Sequence, residues 1–128
     1  METDIKQTAS LTIYGRLTGL NEYTLARNSS RYRGNNLKQQ NEALIMGYIM
    51  EQLQGISFKG KVHIAYKWYE ESRRRDLDNI AFAKKFIQDA LVKSGVLAGD
   101  GWKHIAGFTD EFYIDKENPR VEVIIREV

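Results

Sequence analysis

The stretch GKVHIAYKWYE constrains the fold more than any other part of the chain. Val62, Ile64, Tyr66 and Trp68 alternate with His63, Ala65, Lys67 and Tyr69. Successive side chains of a strand point to opposite faces, and β-branched and aromatic residues suit a pleated, half-buried surface. The period of two therefore predicts a central β-strand. SLTIYGR (Ser10–Arg16) places Leu11 and Ile13 on one face of an earlier strand. NLKQQNEALIMGYIMEQLQG carries Leu37, Leu44, Ile45, Tyr48, Ile49 and Leu53 at helical spacing, with Gly55 as a C-terminal stop. Ile80, Ala83, Ile87, Ala90 and Leu91 form a second helical stripe ended by Gly95. VLAGDGW reads as a short extended piece and a turn. KHIAGFTDEFYID reads as a strand with a bulge at Gly107, and RVEVIIREV as a last strand after the turn ENPR. The last two strands are expected to form a hairpin. Leu17–Asn36, punctuated by Gly, Asn and Ser, reads as a long loop. The order is β-α-β-α-β-β: an α+β domain with two helices packed on one mixed sheet of about four to five strands.

The 128 residues are expected to form one domain, 1–128, with residues 1–9 flexible. The chain has no Cys, which excludes disulfides and thiolate metal sites and fits a cytoplasmic protein. No apolar run reaches the length of a membrane span, and the polar start METDIKQTAS lacks the apolar core of a signal peptide. The net charge is +2, so any binding to nucleic acid must come from local clusters of cations.

RRRDLDN (Arg73–Asn79) is the densest such cluster. Asp76 and Asp78 are spaced i, i+2 at a strand-to-helix junction, and an extended backbone turns both carboxylates to one side. Asp100, in the turn AGDGW, could return to join them. Converging carboxylates without Cys suit a hard cation such as Mg²⁺, with Mn²⁺ as a substitute. The alternative is that these aspartates cap the helix and its turn, since Asp ahead of a helix accepts hydrogen bonds from free N–H groups. Arg73, Arg74 and Arg75 exceed what two aspartates need. They are either phosphate contacts or a solvated charge run.

The ordered set RRRDLDN…KKFIQDALVKSGVLAGD resembles the RusA-type Holliday-junction resolvases, a group frequent in bacteria and their prophages. The resemblance implies a Mg²⁺-dependent homodimeric endonuclease that nicks a four-way junction symmetrically, in recombination and repair. It places the family's metal aspartates on Asp76, Asp78 and Asp100. Its catalytic lysine falls on Lys85 when counted back from Asp89, with Lys84 in reserve. The segment between Asn79 and Asp89 is about three residues longer than the family pattern. On a continuous helix Lys85 would stand nearly in phase with Asp78, roughly 10 Å along the axis.

Between Glu22 and Glu42 there is no acid, and Arg27, Arg31, Arg33 and Lys38 are interleaved with Tyr23 and Tyr32. Cations and tyrosines of this kind can hold phosphates and stack on an unpaired base, or can simply be a polar surface. Near 20 residues, such a loop exceeds the usual connection. His63, His104, Tyr66 and Trp68 read as structural, and Trp102 as a cover over the core. The chain as a whole reads as a Holliday-junction endonuclease. The alternatives are a related nuclease acting on flaps, forks or single strands, and a non-catalytic nucleic-acid-binding module.

Overall fold

The computed structural model describes residues 6–128. The elements run β1 (Thr8–Tyr14), α1 (Leu20–Ser29), α2 (Arg31–Gln52), β2 (Val62–Glu70), α3 (Leu77–Ala81), α4 (Lys84–Lys93), β3 (Ile105–Ile114) and β4 (Arg120–Glu127). The strands form one sheet in the order β1-β4-β2-β3. β4 is antiparallel to both β1 and β2, whereas β3 runs parallel to β2. The fold is α+β with a mixed sheet, and β2 is central.

The alternation in β2 decides which face is covered. Val62, Ile64, Tyr66 and Trp68 are buried, together with Leu11 and Ile13 of β1 and Val121, Val123 and Ile125 of β4. Ile45 and Ile49 of α2 and Phe86, Ile87, Ala90 and Leu91 of α4 complete that core. Each Val, Leu, Ile and Phe among them contributes roughly 1.5–3 kcal/mol on burial. The Tyr66 hydroxyl, accepting from the Gln88 amide at 3.0 Å, has its pKa pushed far up, chiefly by burial. Gly55 and Gly95 take positive φ beyond the ends of α2 and α4, as helix stops require.

Several expectations are corrected. Leu17–Asn36 is mostly not a loop: α1 and the first turns of α2 occupy it. Non-helical backbone remains at Leu17–Gly19 and at Ser30, whose extended backbone separates the two helices and whose hydroxyl accepts from Arg33 N at 3.1 Å. Acidic Glu22 in the first turn of α1 and basic Arg27 in its last turn suit the helix dipole. The helix expected after Asn79 is split into α3 and α4, and with α1 the described residues form four helices rather than two. The bonds Ala83 N to Ile80 O, Lys85 N to Phe82 O and Phe86 N to Ala83 O span three residues and tighten the chain at the break. The last two strands are not a hairpin, because β2 lies between them. β3 pairs parallel with β2, and β4 bridges β2 and β1. The sheet irregularity skips Ala106, next to the Gly107 expected. Thr8 and Ala9, expected to be flexible, belong to β1 and pair with Arg126 and Ile125. The first five residues of that expected segment lie outside the described ones.

Among the described residues no helix is long and apolar enough to cross a membrane. The parallel arrangement of β2 and β3 matters most for the site. It sets the segment after β2 at one end of β3 and the segment before β3 at the other.

Candidate active site

The strand β2 ends at Glu70, and the chain must turn before α3. Arg75 makes that turn rigid. Its Nε and Nη2 donate to Glu70 Oε1 at 3.0 and 2.9 Å, and Nη2 also reaches Oε2 at 2.9 Å. Both side chains are mostly buried. Nη1 donates to the carbonyl of Leu17 at 3.2 Å, tying the segment after β1 to the same point. The third arginine of RRRDLDN is therefore committed to Glu70, which corrects its assignment to DNA. Burial selects this pairing: a planar guanidinium matches a carboxylate with two parallel bonds. Arg73 and Arg74 are exposed and make no ion pair among the described residues.

The staple presents Asp76 at the N-cap of α3. Its backbone is extended and its carbonyl accepts from Ile80 N at 3.1 Å, but its carboxylate makes no capping bond. Asp78, in the first turn, accepts from Asn79 N at 3.0 Å. Both aspartates are exposed. An N-cap position whose carboxylate is not spent on the helix leaves that carboxylate available to a ligand. Beside Asp76 opens a cavity of about 600 Å³, bordered by Arg73 and walled by Leu77, Ile80, Phe112 and Ile114.

Asn79 has a different task. It is buried, and its Oδ1 accepts from Asn21 N at 2.9 Å, in the first turn of α1. The N-cap of α1 is Gly19, which has no side chain to cap with, so α3 supplies the missing acceptor. A Cβ on Gly19 would lie 2.6 Å from Asn79 Oδ1, so only glycine fits there. Asn79→Ala strands that N–H and should cost about 1–3 kcal/mol. A urea midpoint lowered by that loss divided by the slope, with the slope itself unchanged, is the expected result.

Asp100 does not join the pair. It stands near Gly101, Ile105 and Phe108 at the start of β3, whereas Asp76 stands near Tyr113 and Ile114 at its end. A ten-residue strand spans about 30 Å. Among the described residues no group of three or more His, Cys, Asp and Glu side chains could hold a metal ion.

The lysines are also separated by the structure. Lys84 pairs with Asp110 and lies 4.2 Å from the centre of the Phe108 ring. Asp110 accepts in addition from Trp68 Nε1 at 2.8 Å. Lys84 thus fastens α4 to β3 and is not a free DNA contact. Lys85 keeps 61% of its side chain exposed and reaches Asp89 at 3.5 Å, one helical turn on. Its expected phase with Asp78 assumed a continuous helix, and the break at Phe82 and Ala83 removes that relation.

Of the cations expected in the acid-free segment, Arg27, Arg31 and Arg33 are exposed at the corner between α1 and α2, beside the bare ring of Tyr32. Arg33 also donates to Ser29 Oγ at 3.0 Å, and Arg27 packs against Gly34. Lys38 is drawn away from solvent, within 3.8 Å of buried Glu42 and 3.6 Å of Asp89. Lys93 closes on Glu42 from the other side, which raises its pKa through that hydrogen bond and charge. Trp102, expected to cover the core, is 93% exposed. Sequence reasoning missed Glu70 and Asp110 altogether. Glu70 continues the inward alternation of β2, and a buried carboxylate at a strand end requires a cation nearby.

The sequence profile of endodeoxyribonuclease RusA matches residues 21–126, which run from α1 into β4. The chain belongs to that family. RusA-family proteins are Holliday-junction-resolving endonucleases that act on branched DNA. Among curated proteins none matches the chain. The match takes in the whole of RRRDLDN, the break in the helix and Asp100, and it leaves β1 outside.

Proposed function

We propose that this RusA-family chain is a Mg²⁺-dependent, structure-selective endonuclease that resolves four-way DNA junctions by paired nicks, acting as a homodimer in cytoplasmic recombination and repair. The observation that carries the reading is Asp76: a carboxylate at a helix N-cap that leaves the helix uncapped, held beside an open cavity by a buried Arg–Glu staple. Mg²⁺ is commonly bound through one or two carboxylates, with waters and substrate phosphate completing its shell. Exposed Asp76 and Asp78 fit that share. When bound, the metal would activate water and neutralise charge on the phosphate.

The chain's own groups take the remaining tasks. Arg73 and Arg74 hold backbone phosphates on either side of the scissile bond. Lys85, on the exposed side of α4, offsets charge developing on the phosphate oxygens. The corner bearing Arg27, Arg31 and Arg33 extends the phosphate track, and Tyr32 offers a ring to an unpaired base. Water oxygen bonds to phosphorus as the P–O3′ bond breaks, leaving a 3′-hydroxyl and a 5′-phosphate. Asp100 lies too far away to serve the Asp76 of its own chain. In a homodimer a second copy can bring its Asp100 to the pair, which ties catalysis to dimerisation.

The test is cleavage of end-labelled substrates with and without Mg²⁺. Symmetric nicks in a mobile four-way junction, at rates well above those on flaps, forks and single strands, are expected. Preference for flaps or forks would select a related nuclease with the same site. Tight binding to every branched DNA with no Mg²⁺- or Mn²⁺-dependent nick would leave only a binding module.

A further inference from the structure

Little apolar burial holds α1 to the domain. None of its residues is fully buried, and Tyr23 leans on the rings of Phe82 and Phe86 at 5.3 and 5.7 Å. Its first turn is fixed by polar bonds instead. Asn79 Oδ1 accepts from Asn21 N at 2.9 Å, and Asn79 is only 8% exposed, so water offers that N–H no easy substitute. The residues just ahead of the helix are tied to the same place. The Leu17 carbonyl accepts from Arg75 Nη1 at 3.2 Å. Thr18 N donates to Asn41 Oδ1 of α2 at 3.1 Å, and Asn41 Nδ2 donates back to Thr18 Oγ1 at 2.8 Å. Gly19 completes the contact, lying too close to Asn79 and Arg75 for any Cβ.

This latch joins two surfaces that face DNA in the reading above. Asn79 directly follows Asp78 and donates its own N–H to the Asp78 carboxylate at 3.0 Å. From the other side of the latch α1, about 15 Å long, leads to the corner where Arg27, Arg31 and Arg33 are exposed. One buried amide therefore touches both the loop of the two aspartates and the helix that carries the corner cations. A strand held at both places gains from the pair only as far as their spacing is kept.

We propose that Asn79 is a positioning residue: its side-chain oxygen locks α1 in register with Asp76 and Asp78, so that DNA gripped at the corner brings its scissile phosphate to the two aspartates. The proposal rests on the endonuclease reading and adds the link between its two halves.

The experiment is a double-mutant cycle on four-way-junction binding by the full chain, in EDTA so that no strand is cut, over a range of salt. Arg31→Ala should weaken binding by about 5-fold in the parent and reduce the slope of log affinity against log salt by about one. Asn79→Ala, measured well below its melting temperature, should weaken binding by about 10-fold. In that background Arg31→Ala should cost less than about 2-fold and leave the slope unchanged, because the corner no longer meets the same DNA. Asn79→Asp keeps an acceptor for Asn21 N and with it the fold. The full effect of Arg31→Ala on affinity and slope should return there. A loss from Arg31→Ala that is equal in the parent and in Asn79→Ala makes Asn79 a structural cap and overturns the proposal. So does an Arg31→Ala without effect in the parent, or one with a reduced effect in Asn79→Asp. Coupling as described, in a parent chain that makes no metal-dependent nick, overturns the endonuclease reading instead and leaves the link between Asn79 and the corner standing.

Discussion

Asp76→Asn removes Mg²⁺-dependent nicking of a four-way junction, by about 10²–10³-fold or more, while the protein melts as the parent does. The carboxylate is exposed and bonds to no helical N–H, so its loss should change stability by no more than about 0.5 kcal/mol. The amide keeps the shape but loses the charge that a hard cation needs. Asp78→Asn should behave alike in cleavage, with the bond from Asn79 N retained by the amide oxygen. Asp100→Asn decides how the site is assembled. If Asp100 serves the other copy, mixing Asp76→Asn and Asp100→Asn chains regenerates one intact site in each mixed dimer, and single-strand nicking returns. If each chain holds a complete site, the mixture stays inactive. Gel separation of single and paired nicks reads the difference. Unchanged cleavage by Asp76→Asn would sink the metal reading.

Arg75→Ala is expected to unfold the domain far more readily, by about 3–5 kcal/mol, because it leaves the Glu70 carboxylate buried without its partner. It also frees the Leu17 carbonyl and so loosens the approach to α1. Arg75→Lys should recover only part of the loss, since an ammonium cannot make the paired bonds. Arg73→Ala and Arg74→Ala should leave the melting temperature unchanged. Each should instead lower affinity for junction DNA and reduce the slope of log affinity against log salt by about one. Thermal melts and binding titrations on the same three single-alanine variants test the division. Equal loss of stability at all three positions would refute it.

Much of the fold was legible in the sequence because its signals are periodic. The alternation in Val62–Trp68 and in Val121–Ile125 repeats over whole strands, and burial of one face follows from it. The glycine stops at Gly55 and Gly95 could be read for the same local reason. α1 could not be read in that way, because none of its residues is fully buried and it shows no apolar stripe. It is held by Tyr23 against Phe82 and Phe86 and by Asn79 across from α3, contacts between segments far apart in the chain. The hairpin expected from ENPR failed because turn residues mark where a chain bends, not which strand it meets next. The place beside β4 is taken by β2, whose inner face buries Val62, Ile64, Tyr66 and Trp68.

The candidate site divides along the same line. The sequence by itself determined the residue types, hard oxygen donors beside surplus cations, and with them the family. Only the tertiary structure decided which groups are free to act. The buried end of β2 claims Arg75, Asp110 claims Lys84, and Glu42 and Asp89 draw in Lys38. Parallel pairing of β2 and β3 then sets Asp100 a strand's length from Asp76. A charge is assigned by the partner that desolvates it, and that partner is chosen by packing, which no local stretch of sequence contains.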